Sequence, residues 1–213
     1  MPTINIWSKV AVAVQSVLGA AKTISAITKA NPAVASSTAH ALTNGTLVLL
    51  KVNGMRQLDY RVVRVANQAA NTFELEGVDS TSFDTFTTGT AEAITFGVSC
   101  ATLQDINPSG GDAEGKTITT IHDDQAYSIP GNRNPVEYAF GSLWDPADAG
   151  LAALAAFDNV KGIAAIAFTF SSGAKIYFAA YPSYSALPGG SAGDVVTTSV
   201  KLSLRGRLTA YAS

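Results

Sequence analysis

Residues 110–117, Gly-Gly-Asp-Ala-Glu-Gly-Lys-Thr, satisfy the phosphate-loop pattern through Gly110, Gly115, Lys116 and Thr117. Such a loop binds nucleotide because a strand delivers a glycine-rich turn and a helix starts at once. The loop amides and the helix N-terminus then surround the phosphate. Here Thr117, Ile118, Thr119, Thr120 and Ile121 follow the lysine. All five are β-branched and predict a strand. Asp112 and Glu114 lie inside the loop and would repel phosphate. The pattern therefore reads as an acidic connection between strands. Asp105, Asn107, Ser109 and Gly110 also imitate the start of a calcium-binding EF-hand loop, but Lys116 occupies the place of the terminal glutamate.

Three further groups could do chemistry. His122 and Asp124 are spaced to share one face of a strand, as a metal pair or hydrolase dyad would, whereas Asp123 points the other way. No Gly-x-Ser-x-Gly elbow accompanies them, so an exposed turn is expected. Cys100 is the single cysteine, which rules out an internal disulfide. It lies in an apolar run with no cationic partner nearby in sequence and reads as a small buried residue. Tyr177, Tyr181 and Tyr184 could stack on a sugar, but aromatic residues on a hairpin serve a core or an interface more often. No catalytic, cofactor-binding or metal-binding residue is assigned, and a protein that is not an enzyme is expected.

The elements that carry these residues are mostly strands. Val12 and Val14 alternate with alanine, and residues 62–75 give two strands around an Asn-rich turn, with Phe73 and Leu75 on one face. A hairpin over residues 164–181 turns at Ser171–Gly173. Near the C-terminus, Val196, Thr198, Val200, Leu202 and Leu204 line a core face, while Lys201, Arg205 and Arg207 stand on a polar, basic one. One principal helix is expected over 146–158, with Asp145 as N-cap, Pro146 at its first position and Leu151, Leu154 and Phe157 facing a sheet. A short helix is expected over 16–22. Residues 105–115 and 182–194 read as mobile loops. Strands in series with one helix predict a mainly β sandwich or barrel.

Only 14% of the 213 residues are charged, against 47% hydrophobic. The surface must therefore be largely uncharged, as suits self-association. The charges are segregated. Residues 1–72 hold seven Lys or Arg and one acid, residues 73–158 two and fourteen, and residues 159–213 five and one. Such blocks can mark patches that meet between subunits. No stretch approaches a membrane span, and a soluble protein without an export signal is expected.

Residues 34–96 carry a run of specific features. They are His40 and Leu42, Asn44-Gly45, Gly54-Met55, Leu58-Asp59-Tyr60, Thr72–Leu75, Gly77–Thr81 and Phe86–Gly89. This run resembles a small β-module common in tailed-phage structural proteins; Ala41 departs from it, standing where glycine is usual. The helix segment, the following hairpin and the terminal strand resemble the major tail-tube protein of phages with long non-contractile tails. That resemblance implies a β-sandwich body (1–33 and 97–213) with the 34–96 module inserted. It further implies hexameric rings stacked into a tube in the virion, built in the host cytoplasm, through which double-stranded DNA passes. Tape-measure, terminator and tip proteins would be its partners. Asp105, Pro108, Asp112, Glu114 and Lys116 are expected in a ring-stacking loop, and Lys201, Arg205 and Arg207 on an inter-subunit face. A tail-tip, baseplate or surface-adhesion module is the alternative.

Overall fold

The computed structural model describes residues 7–122 and 124–212. Its strands are β1 (Ala11–Leu18), β2 (Lys22–Ile24), β3 (Ala26–Ile27), β4 (Ala33–Ser36), β5 (Leu47–Asn53), β6 (Val62–Ala66), β7 (Thr72–Leu75), β8 (Thr88–Cys100), β9 (Leu103–Ser109), β10 (Ala113–Ile118), β11 (Tyr127–Arg133), β12 (Glu137–Leu143), β13 (Ala164–Thr169), β14 (Lys175–Tyr184) and β15 (Thr197–Tyr211). A 3-10 turn covers Arg56–Leu58, and one helix, α1, covers Ala149–Asn159. The mainly β, one-helix class predicted by the periodicity is what forms.

One sheet runs in the order β3-β4-β7-β6-β5-β8-β1-β13-β14-β15-β12-β9, with β2 added beside β8. It curls into a half-barrel. β10 and β11 form a separate two-stranded ribbon. The long strand β8 belongs to both ends of the molecule. Its first half pairs with β5 and its second with β1.

Three apolar clusters hold the curl. Ile24, Val48, Leu50, Phe73, Leu75 and Val78 fill the interior of the module formed by β2 to β7. Val14, Leu151, Ile166, Phe168, Phe178 and Leu202 pack between the body sheet and α1. Between these lies a third layer, where Leu49 and Val62 of the module meet Ala165, Ala167, Tyr177 and Tyr211 of the body. β13 is therefore buried on both faces, which is why it reads as an unbroken apolar run. Ala165 and Ala167 face the module, and Ala164, Ile166 and Phe168 face the helix. Phe168 sits at the centre of that side, edge-on to Phe178 at 5.2 Å and to Tyr138 at 5.6 Å.

The helix starts later than the sequence suggests. Its N-cap is Asp148, whose carboxylate accepts from the Gly150 and Leu151 amides at 2.8 and 3.0 Å. Asp145 instead closes the preceding turn by accepting from the Ala147 amide at 2.9 Å. Both aspartates suit a cap, but only Asp148 also meets a second element. Its other oxygen accepts from the Ala101 and Thr102 amides and the Thr102 hydroxyl, on the connection from β8 to β9. Tertiary contact thus selects the cap.

The helix expected over 16–22 does not form. Val17 and Leu18 pair with Thr95 and Ile94, and Gly19 donates to the Ala93 carbonyl at 2.7 Å. Register shifts on either side of Gln15 disturb the alternation of β1, so the segment loses its strand signature. Gln15 is buried there, and its amide oxygen accepts from the Ala165 amide at 3.1 Å.

Candidate assembly surface

None of the residue groups that suggest chemistry forms a reactive arrangement. Lys116, Thr117 and Ile118 lie in β10, opposite Ile129, Ser128 and Tyr127. A strand continues the phosphate-loop pattern, and no helix N-terminus faces it. His122 and Asp124 are exposed near the ribbon tip, and Asp123 lies outside the described residues. Among the described residues, no group of three or more His, Cys, Asp or Glu could hold a metal. Burial, reinforced by the nearby Asp148 carboxylate, pushes the Cys100 thiol up to about 12, so it stays protonated. His40 is 1% exposed and serves structure. Its Nδ1 accepts from the Leu42 amide at 3.0 Å, its Nε2 lies 2.9 Å from the Ala69 carbonyl, and its ring meets Phe73 edge-on. Ala41 keeps the glycine-like backbone of that turn, at φ 55°. Of the three tyrosines, Tyr177 is buried and Tyr181 is 42% exposed.

The segment expected to be a loop at 105–115 is mostly strand. Asp105 and Pro108 lie in β9, Asp112 in a turn, and Glu114 and Lys116 in β10. Residues 103–143 form one long arm. β9 pairs with β12 against the body, and β10 pairs with β11 beyond a kink. At the kink, Gly110 and Gly111 take φ of 76° and 84°. Gly110 sits so close to the Pro135 carbonyl that no side chain would fit. Gly111 and Asp112 then bond across to Asn134, at 3.2 and 2.9 Å. Proline, glycine and aspartate read as a loop in sequence because they also mark sheet edges and kinks. Asp105 accepts from the Gly141 amide, which fixes the base of the arm.

Past the kink, no described residue of β10 or β11 is buried. Tyr127 and Ile129 are about half exposed, and Ile121 near the tip is 96% exposed. A two-stranded ribbon without an apolar partner is at best marginally stable in water. The arm also leaves the outer edge of β9 unpaired among the described residues.

The basic face of β15 divides into two parts. Lys201 is exposed and open. Arg205 reaches Asp59 at 3.4 Å and lies over the Tyr60 ring, and Arg207 lies over the Phe83 ring. These two arginines thus engage the module of their own chain. Further along, Thr209 accepts from Arg61 at 2.9 Å. The Tyr211 hydroxyl accepts from the Arg64 amide at 2.8 Å and donates to the Glu76 carbonyl at 3.3 Å. The Arg64 guanidinium pairs with Glu76 through two nitrogens and stacks 4.4 Å above the Tyr211 ring. This polar clasp was not legible in the sequence. The only hint is that Thr209 and Tyr211 continue the polar face of β15 with residues that tolerate burial.

A curled antiparallel sheet, an uncovered ribbon and an open strand edge define a structural protein built to associate. The chain matches the family described as phage tail tube protein (TTP) over residues 53–213, and it belongs to that family. The match covers the arm, helix and terminal strand, and it begins within the module, in β5. No curated protein matches the chain. The family is one of structural tail proteins rather than of enzymes, which places the protein in the virion, assembling with itself and with other tail proteins. No described helix is long and apolar enough to cross a membrane.

Proposed function

We propose that the protein is the subunit of stacked hexameric rings that form the conduit for DNA in a long, non-contractile phage tail. The β10–β11 ribbon carries this reading. It has strand pairing, exposed apolar side chains and no core of its own, so a neighbouring copy supplies its missing contacts. In a closed ring each open edge meets the next subunit, which turns an aggregation hazard into the assembly mechanism. Asp105, Pro108, Asp112, Glu114 and Lys116 belong to the arm that makes the ring-stacking contact. Lys201 leads the inter-subunit face, and Arg205 and Arg207 flank it.

Residues 34–96 act as an inserted small β-domain on a body made of 1–33 and 97–213. A separate apolar cluster supports that division, and this cluster also draws in Ile24 and Ile27. Tape-measure, terminator and tip proteins meet the tube at its lumen and two ends, and assembly takes place in the host cytoplasm. A lumen that lets DNA slide must avoid many phosphate contacts, since each would add affinity.

The test is negative-stain microscopy of the concentrated protein and of a variant in which a two-glycine turn replaces residues 112–133. The wild type should form long tubes. The shortened chain should keep its circular dichroism spectrum and form none. Normal tubes from the shortened chain would refute the role given to the ribbon.

A further inference from the structure

A polar cleft of about 430 Å³ opens between the module and the bulge of β15. Asn53, Gly54, Arg56, Asp59, Arg205 and Gly206 line it. Its walls are fixed by backbone packing rather than by mobile side chains. Gly206 takes φ of 84° and lies so near the module that a Cβ would come within 2.5 Å of the Asp59 carbonyl. Gly54 takes φ of 86° and is similarly close to the Thr87 amide. Asp59 is held in place by accepting from the Val52 amide at 3.2 Å.

The charges in this cleft do not balance. Two guanidinium groups face one carboxylate. Arg205 touches Asp59 only through one nitrogen, at 3.4 Å, and is half exposed. The Arg56 side chain makes no hydrogen bond or ion pair among the described residues. A planar fork of donors held beside a rigid wall suits a carboxylate, which it can grip with two bonds. The chain holds matching acids on the ribbon. Asp112 and Glu114 are exposed, and neither forms an ion pair among the described residues.

We propose that this cleft is the receptor for the acidic ribbon of another copy, with Glu114 or Asp112 seated between Arg56 and Arg205. The inference rests on the tail-tube reading and gives the ribbon a destination. It also gives the module a part in assembly, because most of the cleft lining belongs to the module. The segregation of charge along the sequence is then a key and its lock. Residues 73–158 carry the acid, and the flanking segments carry the base.

Charge reversal with rescue, in the full-length chain, tests it. Arg56→Glu should leave thermal melting nearly unchanged, since the exposed side chain makes no hydrogen bond or ion pair among the described residues. It should raise the concentration at which tubes appear by about tenfold or more. Asp112→Lys combined with Glu114→Lys should do the same. All three changes together should recover most of the loss, and the wild-type threshold should rise with salt. Arg56→Glu protein that assembles at the wild-type concentration overturns the proposal, as does a triple variant no better than the worse of its parents. In either case wild-type tubes leave the tail-tube reading standing. A wild type that forms no tubes at any concentration refutes that reading and this one with it.

Discussion

Replacing Asp148 with alanine should loosen the helix and the strand connection together. The side chain is 6% exposed and accepts five hydrogen bonds: two from the first turn of α1 and three from Ala101 and Thr102. Loss of an N-cap costs about 1 kcal/mol. Loss of a charged acceptor for the half-buried Thr102 amide and hydroxyl adds roughly 1–3 kcal/mol. A total near 3 kcal/mol, with a urea slope of roughly 2–3 kcal/mol/M, lowers the unfolding midpoint by about 1 M. Asparagine keeps the capping oxygen but not the charge, and should fall between the two.

The pH dependence provides a second check. Burial pushes the Asp148 carboxyl up, but the hydrogen bonds from Leu151, Ala101, Thr102 and Gly150 outweigh it and hold the group below the ordinary aspartate value. The stabilisation is therefore fully present above about pH 4, the unfolded value, and is lost as pH falls through the folded one. The gap between wild type and Asp148→Ala should narrow in acid. A midpoint shift under about 0.3 M at pH 7, or a gap that is the same at pH 7 and at pH 3, would refute the argument that this carboxylate joins helix to sheet.

Two further outcomes are expected. The Cys100 thiol, pushed up to about 12, should resist alkylation at pH 8 in the native protein and react at the normal rate in urea; equal rates would show that it is open to solvent. Tyr211→Phe removes the hydroxyl that links Arg64 to Glu76, at a cost of about 1–3 kcal/mol, and should speed hydrogen exchange in β6 and β7 while leaving β13 and β14 unchanged.

Much of this arrangement was legible in the residues, and the exceptions share a cause. Phe73 and Leu75, and Val200 and Leu202, took the faces that alternation assigned. Those positions obey a rule confined to one strand. The later helix start, the pairing of residues 16–18 and the arm at 103–143 depend on partners far away in sequence. Asp145 and Asp148 are equal as caps until Thr102 is placed beside one of them. The charged face of β15 posed the same difficulty. Arg205 resembles Lys201 in sequence, but only Arg205 has the module beneath it. For the assembly surface, the sequence marked the acidic and basic segments. The cleft itself is lined by Gly54 and Gly206, which stand far apart in the chain.

The ladder formed by β1 and β2 against β8 runs antiparallel from Val12 beside Cys100 to Ile24 beside Gly89. Two strands joined this way need only a turn between them, yet here the connection is a whole module with its own interior. Topologically the module is an overgrown bend. A connection of this kind can differ in length without disturbing the pairing of β1 with β8, and the Tyr211 hydroxyl ties this one to the end of β15.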